Sequence, residues 1–145
     1  VQVRFLGSRE GLPEIVRQKM DNAIEATKNN TGIILNLAIN YGGQAEILNA
    51  VKEIAAEVEA GKLNVADITN NIIESHLYTK GLPAPDLLIR PGGDLRISNF
   101  LLWQIAYAEI WTTDVYWPDF SPEHLLQAIA AYQGRERRFG GLVNK

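Results

Sequence analysis

The chain has 145 residues, of which 46% are hydrophobic and 21% are charged, and this composition fits one globular domain with an apolar core. Its formal net charge is -3, so the overall charge does not indicate a nucleic-acid partner. The absence of cysteine excludes disulfides, zinc ribbons and thiol catalysis, and it agrees with a cytoplasmic location. Because no apolar run approaches the roughly 20 residues that span a bilayer, we expect no transmembrane segment.

The first half of the chain alternates between strand-like and helix-like segments. Residues 1–6 predict a short strand, and residues 13–28 predict a helix that ends at the stop signal KNNTG. The run GIILNLAINYGG predicts a second strand that is covered on both faces, and residues 44–60 predict the next helix. Because Val1 stands inside a strand where an initiator Met would be expected, we expect the domain to lack an N-terminal part.

The second half continues the alternation. A shorter helix is predicted from an N-cap at Asp67 to about Leu77, followed by a loop and the third strand, DLLIR. Residues 99–110 predict a helix, and TDVYW predicts a fourth short strand. Ser121 and the proline after it predict the start of a last helix that ends near Gly134.

This alternation predicts an α/β fold with a mostly parallel central sheet flanked by helices, truncated at the N terminus. We expect a single domain that spans residues 1–145. In such sheets ligands bind beyond the carboxyl ends of the strands. The segments NYGGQ and RPGGDLRIS follow predicted strands, and both carry paired glycines. The two glycine loops are therefore the first candidates for a binding site.

The second glycine loop combines flexibility with positive charge. Gly92 and Gly93 allow the backbone to approach a ligand closely, and Ser98 is placed to cap the helix that is predicted to follow. Arg90 and Arg96 add two guanidinium groups, so the loop suits a phosphate or a diphosphate.

An alternative interpretation of this loop remains open. Arg96 would pair with Asp94 in an exposed turn, and the glycines would serve the turn alone. The loop matches neither the P-loop pattern nor the dinucleotide-binding pattern, so neither motif decides between the two interpretations.

Glu109 is the second unusual residue. On the predicted helix it shares a face with Ile105 and Ala106 in a segment that is apolar nearly all round. A buried carboxylate needs a cation, a hydrogen-bond partner or water, and Mg²⁺ would serve. The alternative is a frayed last turn that leaves Glu109 in solvent.

Two further segments have both a functional and a structural interpretation. Asn40 ends the second predicted strand beside a glycine pair, so it either shapes the rim of a pocket or only makes the turn. The tail carries Arg135, Arg137 and Arg138, which either have a function or form an ordinary solvated basic tail.

The blocks LNLAINYGG, IRPGGDLRISNFLLWQIAYAEI, DVYWPDF and RERRFGG resemble the undecaprenyl pyrophosphate synthases of the cis-prenyltransferase family, and the likeness covers essentially the whole chain. This resemblance implies a Mg²⁺-dependent transferase that condenses isopentenyl diphosphate onto an allylic diphosphate such as farnesyl diphosphate. The long product would be the lipid carrier for cell-wall sugars. The resemblance also implies a homodimer, with peripheral membrane contact through the lipid product.

The resemblance also implies roles for individual residues. Arg90 and Glu109 would be catalytic, with Glu109 as the metal ligand, and an Arg-x-Gly element in the tail would reach the site of the neighbouring subunit. The substrate-binding residues it implies are Asn40, Arg90, Gly92, Gly93, Arg96 and Ser98, together with Arg138 and Gly140 of the tail.

The chain departs from the family pattern in ways that affect activity. The Asp-Gly-Asn-Gly-Arg-Trp loop, which binds the allylic diphosphate and supplies the essential aspartate, is absent. We therefore expect this chain alone to be inactive. Smaller departures are Gln44, Pro91 and Asp94, where many members have Arg, Thr and Glu.

Two other functions remain as alternatives. The chain would be a non-catalytic partner subunit of a heteromeric cis-prenyltransferase, or a generic phosphate-binding α/β module. Partner subunits tend to lose the anion-site residues, whereas Arg90, Arg96, Ser98 and Glu109 are all present here.

Overall fold

The structure is a computed structural model that describes residues 1–135. The chain divides into two compact units, residues 1–82 and the residues from 83 onward. Both units contain helices and a parallel pair of strands, so the predicted α/β class is confirmed. That the two units form one domain spanning residues 1–145 stays a prediction.

The first unit pairs two parallel strands, with Gln2 opposite Ile34 and Leu6 opposite Ala38. Gly7 ends the first strand with φ +118°, and a side chain there would overlap the carbonyl oxygen of Ile39. The Thr27 hydroxyl accepts a hydrogen bond of 3.0 Å from the first strand and ties the first helix to it. The elements are β1 Gln2–Leu6, α1 Glu14–Thr27, β2 Ile34–Ala38, α2 Gly43–Glu59, a 3-10 helix Val65–Asp67 and α3 Asn70–His76.

Two expectations for this unit are wrong. Asp67 does not cap a helix, because it lies in the 3-10 turn and accepts a hydrogen bond from Asn64 Nδ2, so α3 begins after Thr69. The strand β2 is not covered on both faces within residues 1–135, where the successive residues Ile34 and Leu35, which point to opposite faces, are 39% and 45% exposed.

The second unit contains β3 Leu87–Pro91, β4 Glu109–Thr113, a 3-10 helix Trp117–Asp119 and α4 Pro122–Gln133. The strands β3 and β4 pair in parallel from Leu87 opposite Glu109 to Pro91 opposite Thr113. The start of α4 is confirmed as predicted: Ser121 is its N-cap, and the backbone N–H of Ser121 donates to His124 Nδ1 over 3.0 Å.

The helix predicted over residues 99–110 is wrong, and so is the fourth strand predicted at TDVYW. Residues 99–107 form turns, and the fourth strand is β4. Positive φ angles at Asn99 and Leu101 are incompatible with a right-handed helix. The β-branched and aromatic residues from Ile110 to Thr113 favour a strand, and the apolar run before them gives no clear period.

Candidate diphosphate-binding site

Arg90 lies near the carboxyl end of β3, in register with Thr112 of β4. Its side chain is half-buried, and its Nε atom is buried without a hydrogen-bond partner among residues 1–135. A buried donor without a partner costs free energy that a bound acceptor would recover. That Arg90 binds an anion stays a prediction, and this unpartnered Nε atom is the observation in its favour.

Gly92 and Gly93 follow Arg90 with φ angles of +96° and +78°, in the left-handed region that favours glycine. Their N–H groups donate to the carbonyl oxygens of Val115 and Thr113, each over 2.9 Å. The glycines therefore extend the strand pairing beyond β3 and β4 and fix the start of the loop. A direct contact of these two residues with a substrate stays a prediction.

Arg96 is 63% exposed at its side chain and forms an ion pair with the carboxylate of Asp94. The sequence left this pair open as an alternative, and the structure contains it. An anion that binds Arg96 must therefore compete with Asp94. Ser98 has φ +46° and is followed directly by turns, so the predicted N-cap at Ser98 is wrong.

Glu109 is the first residue of β4, so its predicted place on the face of a helix is wrong. Its side chain is 25% exposed, and its Oε2 atom pairs with Nη1 of Arg135. The Nη2 atom of Arg135 also donates to the carbonyl oxygen of Ile110 over 3.2 Å. One guanidinium group thus binds both the side chain of Glu109 and the backbone of the next residue.

The structure does not bring Arg90 and Glu109 together within one chain. Glu109 is the register partner of Leu87, and Arg90 lies three residues further along β3. This offset corresponds to about 10 Å along the strand direction. Successive side chains of a strand point to opposite faces, so Arg90 and Glu109 also lie on opposite faces of the β3–β4 pair.

The described residues offer the type of oxygen donor that Mg²⁺ prefers, but they do not offer enough of these donors. Mg²⁺ takes oxygen ligands and is often held by one or two carboxylates together with substrate phosphates. Glu109 offers such a carboxylate, although Arg135 already pairs with it. No group of three or more His, Cys, Asp or Glu residues within 1–135 is placed to hold a metal ion. A complete metal site therefore needs donors from elsewhere.

Hydrogen bonds from Asn40 tie the first glycine loop to the segment that follows β1. Asn40 has φ +49°, and its Nδ2 atom donates to the carbonyl oxygens of Ser8 and Glu10 over 3.1 and 3.0 Å. Its side chain thus holds the loop after β1, and a contact with substrate stays a prediction. The predicted tail residues Arg138 and Gly140 lie outside the described residues.

Sequence reasoning missed Glu46, whose carboxyl group is buried in the first turn of α2 with 1% exposure. It accepts hydrogen bonds from the Tyr41 hydroxyl over 2.5 Å and from the Tyr78 N–H over 2.7 Å. Burial, with the nearby Glu46 and Glu53 carboxyl groups, raises the pKa of Tyr78 above its usual value. A glutamate in the first turn of an amphipathic helix was the available signal, although such residues are usually exposed.

The comparisons with known proteins identify the family. Residues 1–140 match the profile of a family described as "Putative undecaprenyl diphosphate synthase". The isoprenyl transferase of Geobacillus kaustophilus is 55% identical over 142 residues, which are 98% of this chain and 55% of that protein. The isoprenyl transferase of Clostridium perfringens is 49% identical over 98% of this chain and 56% of its own length.

Two solved structures share the fold. Lavandulyl diphosphate synthase from Lavandula x intermedia, in complex with dimethylallyl diphosphate, has a TM-score of 0.94 and 40% identity over 97% of this chain and 60% of that chain. A probable undecaprenyl diphosphate synthase from Campylobacter jejuni has a TM-score of 0.81 and 33% identity over 97% of this chain and 63% of that chain.

None of the helices within residues 1–135 is both long enough and apolar enough to cross a membrane. The chain spans only a little more than half the length of the curated relatives that it matches. Over that span the match covers nearly all of the chain, from the first strand to the tail. The chain therefore belongs to the undecaprenyl diphosphate synthase family of prenyltransferases.

Proposed function

We propose that this chain carries the isopentenyl-diphosphate-binding part of a cis-prenyltransferase. The enzyme would condense isopentenyl diphosphate repeatedly onto farnesyl diphosphate, and undecaprenyl diphosphate would be the product, used as a lipid carrier in cell-wall synthesis. The observation that carries the proposal is the buried, unpartnered Nε atom of Arg90 beside a glycine loop that holds a second arginine. Family membership supports the reaction class.

The residues of the loop would bind and orient the diphosphate of isopentenyl diphosphate. Arg90 would contact the anion from the strand end, and Arg96 would reach it after release from Asp94. The Ser98 hydroxyl would donate a further hydrogen bond. In the condensation, the bond between the allylic carbon and its diphosphate breaks, a carbon–carbon bond forms, and isopentenyl diphosphate loses a proton.

The second substrate would be an allylic diphosphate. The lavender neighbour was solved in complex with dimethylallyl diphosphate, which is itself an allylic diphosphate, and this supports the substrate class. Glu109 would hold Mg²⁺ together with phosphate oxygens and donors outside the described residues. The bound ion would neutralise negative charge on the diphosphate groups.

We also propose that the enzyme is a cytoplasmic homodimer, with peripheral membrane contact through its lipid product. Family membership supports a dimer, because the resemblance implies a tail element of one subunit that reaches the site of its neighbour. The tail residues Arg138 and Gly140 would reach the neighbouring site in the same way. Absence of cysteine agrees with the cytoplasm.

A condensation assay tests the proposed function. Radiolabelled isopentenyl diphosphate, farnesyl diphosphate and Mg²⁺ would be incubated with this chain alone, and with the chain co-expressed with the unmatched part of the Geobacillus kaustophilus relative. We expect no product from the chain alone and a long polyprenyl product from the combination, which the Arg90→Ala variant should lose.

The other results of this assay are equally informative. Product from the chain alone would contradict the expected inactivity and the need for the missing aspartate loop. Dimerisation without turnover in the combination would favour the non-catalytic partner subunit. A short product would keep the transferase and overturn the undecaprenyl assignment.

A further inference from the structure

His76 is the last residue of α3, and its ring lies between two hydrogen-bond acceptors. Its Nδ1 atom is 2.7 Å from the carbonyl oxygen of Ile72 on its own helix, and its Nε2 atom is 3.3 Å from Oε1 of Glu57 on α2. The Ser75 hydroxyl, 3.2 Å from Nδ1, itself donates to the Ile72 carbonyl. A neutral imidazole carries one N–H group and the protonated ring carries two. Only the protonated ring can therefore donate to both acceptors at once.

The surroundings of this ring favour its protonated form. The His76 side chain is 12% exposed, and the charged groups that act on it are the carboxylates of Glu57 and Glu53 on α2. His76 also lies in the last turn of α3, where a helix favours positive charge. The hydrogen bond to the Ile72 carbonyl, together with the two carboxylates, raises the pKa of His76 above its usual value, against the opposing effect of burial.

α3 is short and depends on its contacts with the rest of the first unit. It has seven residues, and within residues 1–135 none of them is buried and no side-chain hydrogen bond caps its N terminus. An isolated helix of this length is unstable in water. The next residue, Leu77, is 1% exposed and anchors the chain beyond the helix. The contact between His76 and Glu57 joins α3 to α2 just before this anchor.

An apolar cavity of about 380 Å³ lies beside the same two helices. α2 contributes Ile54 and Val58 to its lining, and α3 contributes Ile73. Ile73 lies three residues before His76, and Ile54 lies three residues before Glu57, so each lining residue shares a helix face with one member of the charged pair. The position of α3 therefore sets access to the cavity.

We propose that protonated His76 and Glu57 form a pH-sensitive link that holds α3 against α2 and restricts access to this cavity. When the ring loses its proton and keeps its bond to Ile72, the lone pair of Nε2 faces the Glu57 carboxylate and the link is lost. The link is fully present below the unfolded pKa of histidine and is lost as pH rises through the folded pKa of His76. α3 then separates from α2 more often. This inference does not depend on the proposed function.

The first test is amide hydrogen exchange of the isotope-labelled chain at about pH 5.5 and about pH 8, expressed as protection factors so that the intrinsic effect of pH on exchange is removed. The Ile73 and Leu77 amides report on α3, because they donate to the carbonyl oxygens of Thr69 and Glu74. We expect their protection to fall roughly two- to fivefold between the lower and the higher pH, as for an ion pair of modest strength. His76→Gln should remove this pH dependence.

Two further variants separate the link from other effects of pH. Glu57→Gln keeps the shape of the partner and removes its charge, so it should reduce the pH dependence. His124→Gln is the matched control, because His124 is the second of the two histidines and its Nδ1 atom accepts from the Ser121 N–H; it should behave as the wild type does. An equal fall of protection in wild type and His76→Gln, or no fall in wild type, would overturn the link.

Access to the cavity can be measured directly, because the chain contains no cysteine and a single introduced thiol is unique. Ile73→Cys places the thiol in the cavity lining, and Ile15→Cys, at a residue that is 61% exposed on α1, corrects for ionisation of the thiol. We expect the ratio of their labelling rates to rise roughly two- to fivefold from about pH 6 to about pH 8, and to stay constant when His76→Gln is added. A constant ratio with His76 in place would overturn the control of access by this link.

Discussion

The two glycine loops of this chain follow parallel strands and contain the same glycine pair, yet their polar side chains differ in how they are hydrogen-bonded. In the loop after β2, Asn40 donates to two backbone carbonyls and Tyr41 donates to the buried Glu46. In the loop after β3, Arg90 keeps a buried Nε atom without a partner in the described chain, and Arg96 pairs only with exposed, local Asp94.

The backbones of the two loops also differ. The first loop leads directly into α2, whose N-cap Gly42 is extended. The second leads into turns in which Ser98, Asn99 and Leu101 all have positive φ angles. A bulky residue such as leucine adopts this conformation at a cost of roughly 1 to 2 kcal/mol. The first loop, where only Asn40 has a positive φ, is therefore closed by hydrogen bonds, and the second combines several positive φ angles with a buried Nε atom that has no partner among residues 1–135.

The largest effect is expected in the first loop. Glu46→Ala leaves the Tyr41 hydroxyl and the Tyr78 N–H without their buried acceptor, which should cost about 2 to 4 kcal/mol of unfolding free energy. Urea denaturation measures this loss. Glu53→Ala is the control, because Glu53 is exposed and its change should stay within about 0.5 kcal/mol. A loss below about 1 kcal/mol for Glu46→Ala would contradict the structural role.

In the second loop, Arg90→Met should weaken diphosphate binding and leave the unfolding free energy nearly unchanged. It removes a charge-assisted contact to diphosphate, worth about 1.5 to 3 kcal/mol of binding free energy. It also removes a buried unpartnered donor, so the unfolding free energy should change by less than about 1 kcal/mol. Calorimetry with inorganic diphosphate and urea denaturation measure the two quantities. Unchanged diphosphate affinity would remove Arg90 from the site.

Gly93→Ala tests how tightly the second loop is fixed. The added Cβ would lie 3.1 Å from Asp114 Oδ1 on a backbone with φ +78°, and we expect a loss of about 2 kcal/mol. Gly61→Ala is the matched control, since it has φ +67° and no atom within 4 Å, and it should cost about 1 kcal/mol. Equal losses in thermal unfolding would show that the Asp114 contact is unimportant.

Asp94→Asn should strengthen diphosphate binding because it removes the ion-pair partner of Arg96. Removal of the competing carboxylate should raise diphosphate affinity by roughly two- to fivefold, the range expected for an exposed ion pair. The same calorimetric titration measures this change. A fall in affinity would indicate that Asp94 holds Arg96 in its binding position and does not compete with the anion.

The smallest effect concerns His76 in the first unit. Its ring contacts the Ile72 carbonyl oxygen over 2.7 Å and Glu57 over 3.3 Å, and these partners raise the pKa of His76 above its usual value. The folded state therefore favours the protonated ring, and this stabilisation is complete below the unfolded pKa and is lost as pH rises through the folded pKa. The stability difference between wild type and His76→Gln should be larger at about pH 5.5 than at about pH 8.

The sequence predicted the elements that have a clear period and clear ends. The strands before both glycine loops and the helix after Ser121 follow directly from short apolar runs, glycine signals and an N-cap with proline. The helix predicted over residues 99–110 is wrong because an apolar run without a period does not distinguish helix, turn and strand. A positive φ at Leu101 is set by tertiary context and has no sequence signal.

The candidate site was only partly predictable for a related reason. Arg90 and Arg96 were identified from their position beside a glycine loop, and the pairing of Arg96 with Asp94 is local enough to be foreseen. The pairs of Glu46 with Tyr78 and of Glu109 with Arg135 join residues far apart in the sequence. Only the fold brings them together.

The most direct test of the difference between the loops is an NMR titration of the isotope-labelled chain with isopentenyl diphosphate. We predict that amide shifts will change most between Arg90 and Ser98 and will change little between Asn40 and Gly43. The largest changes around Asn40, with none beside Arg90, would contradict the assignment of the second loop as the diphosphate site.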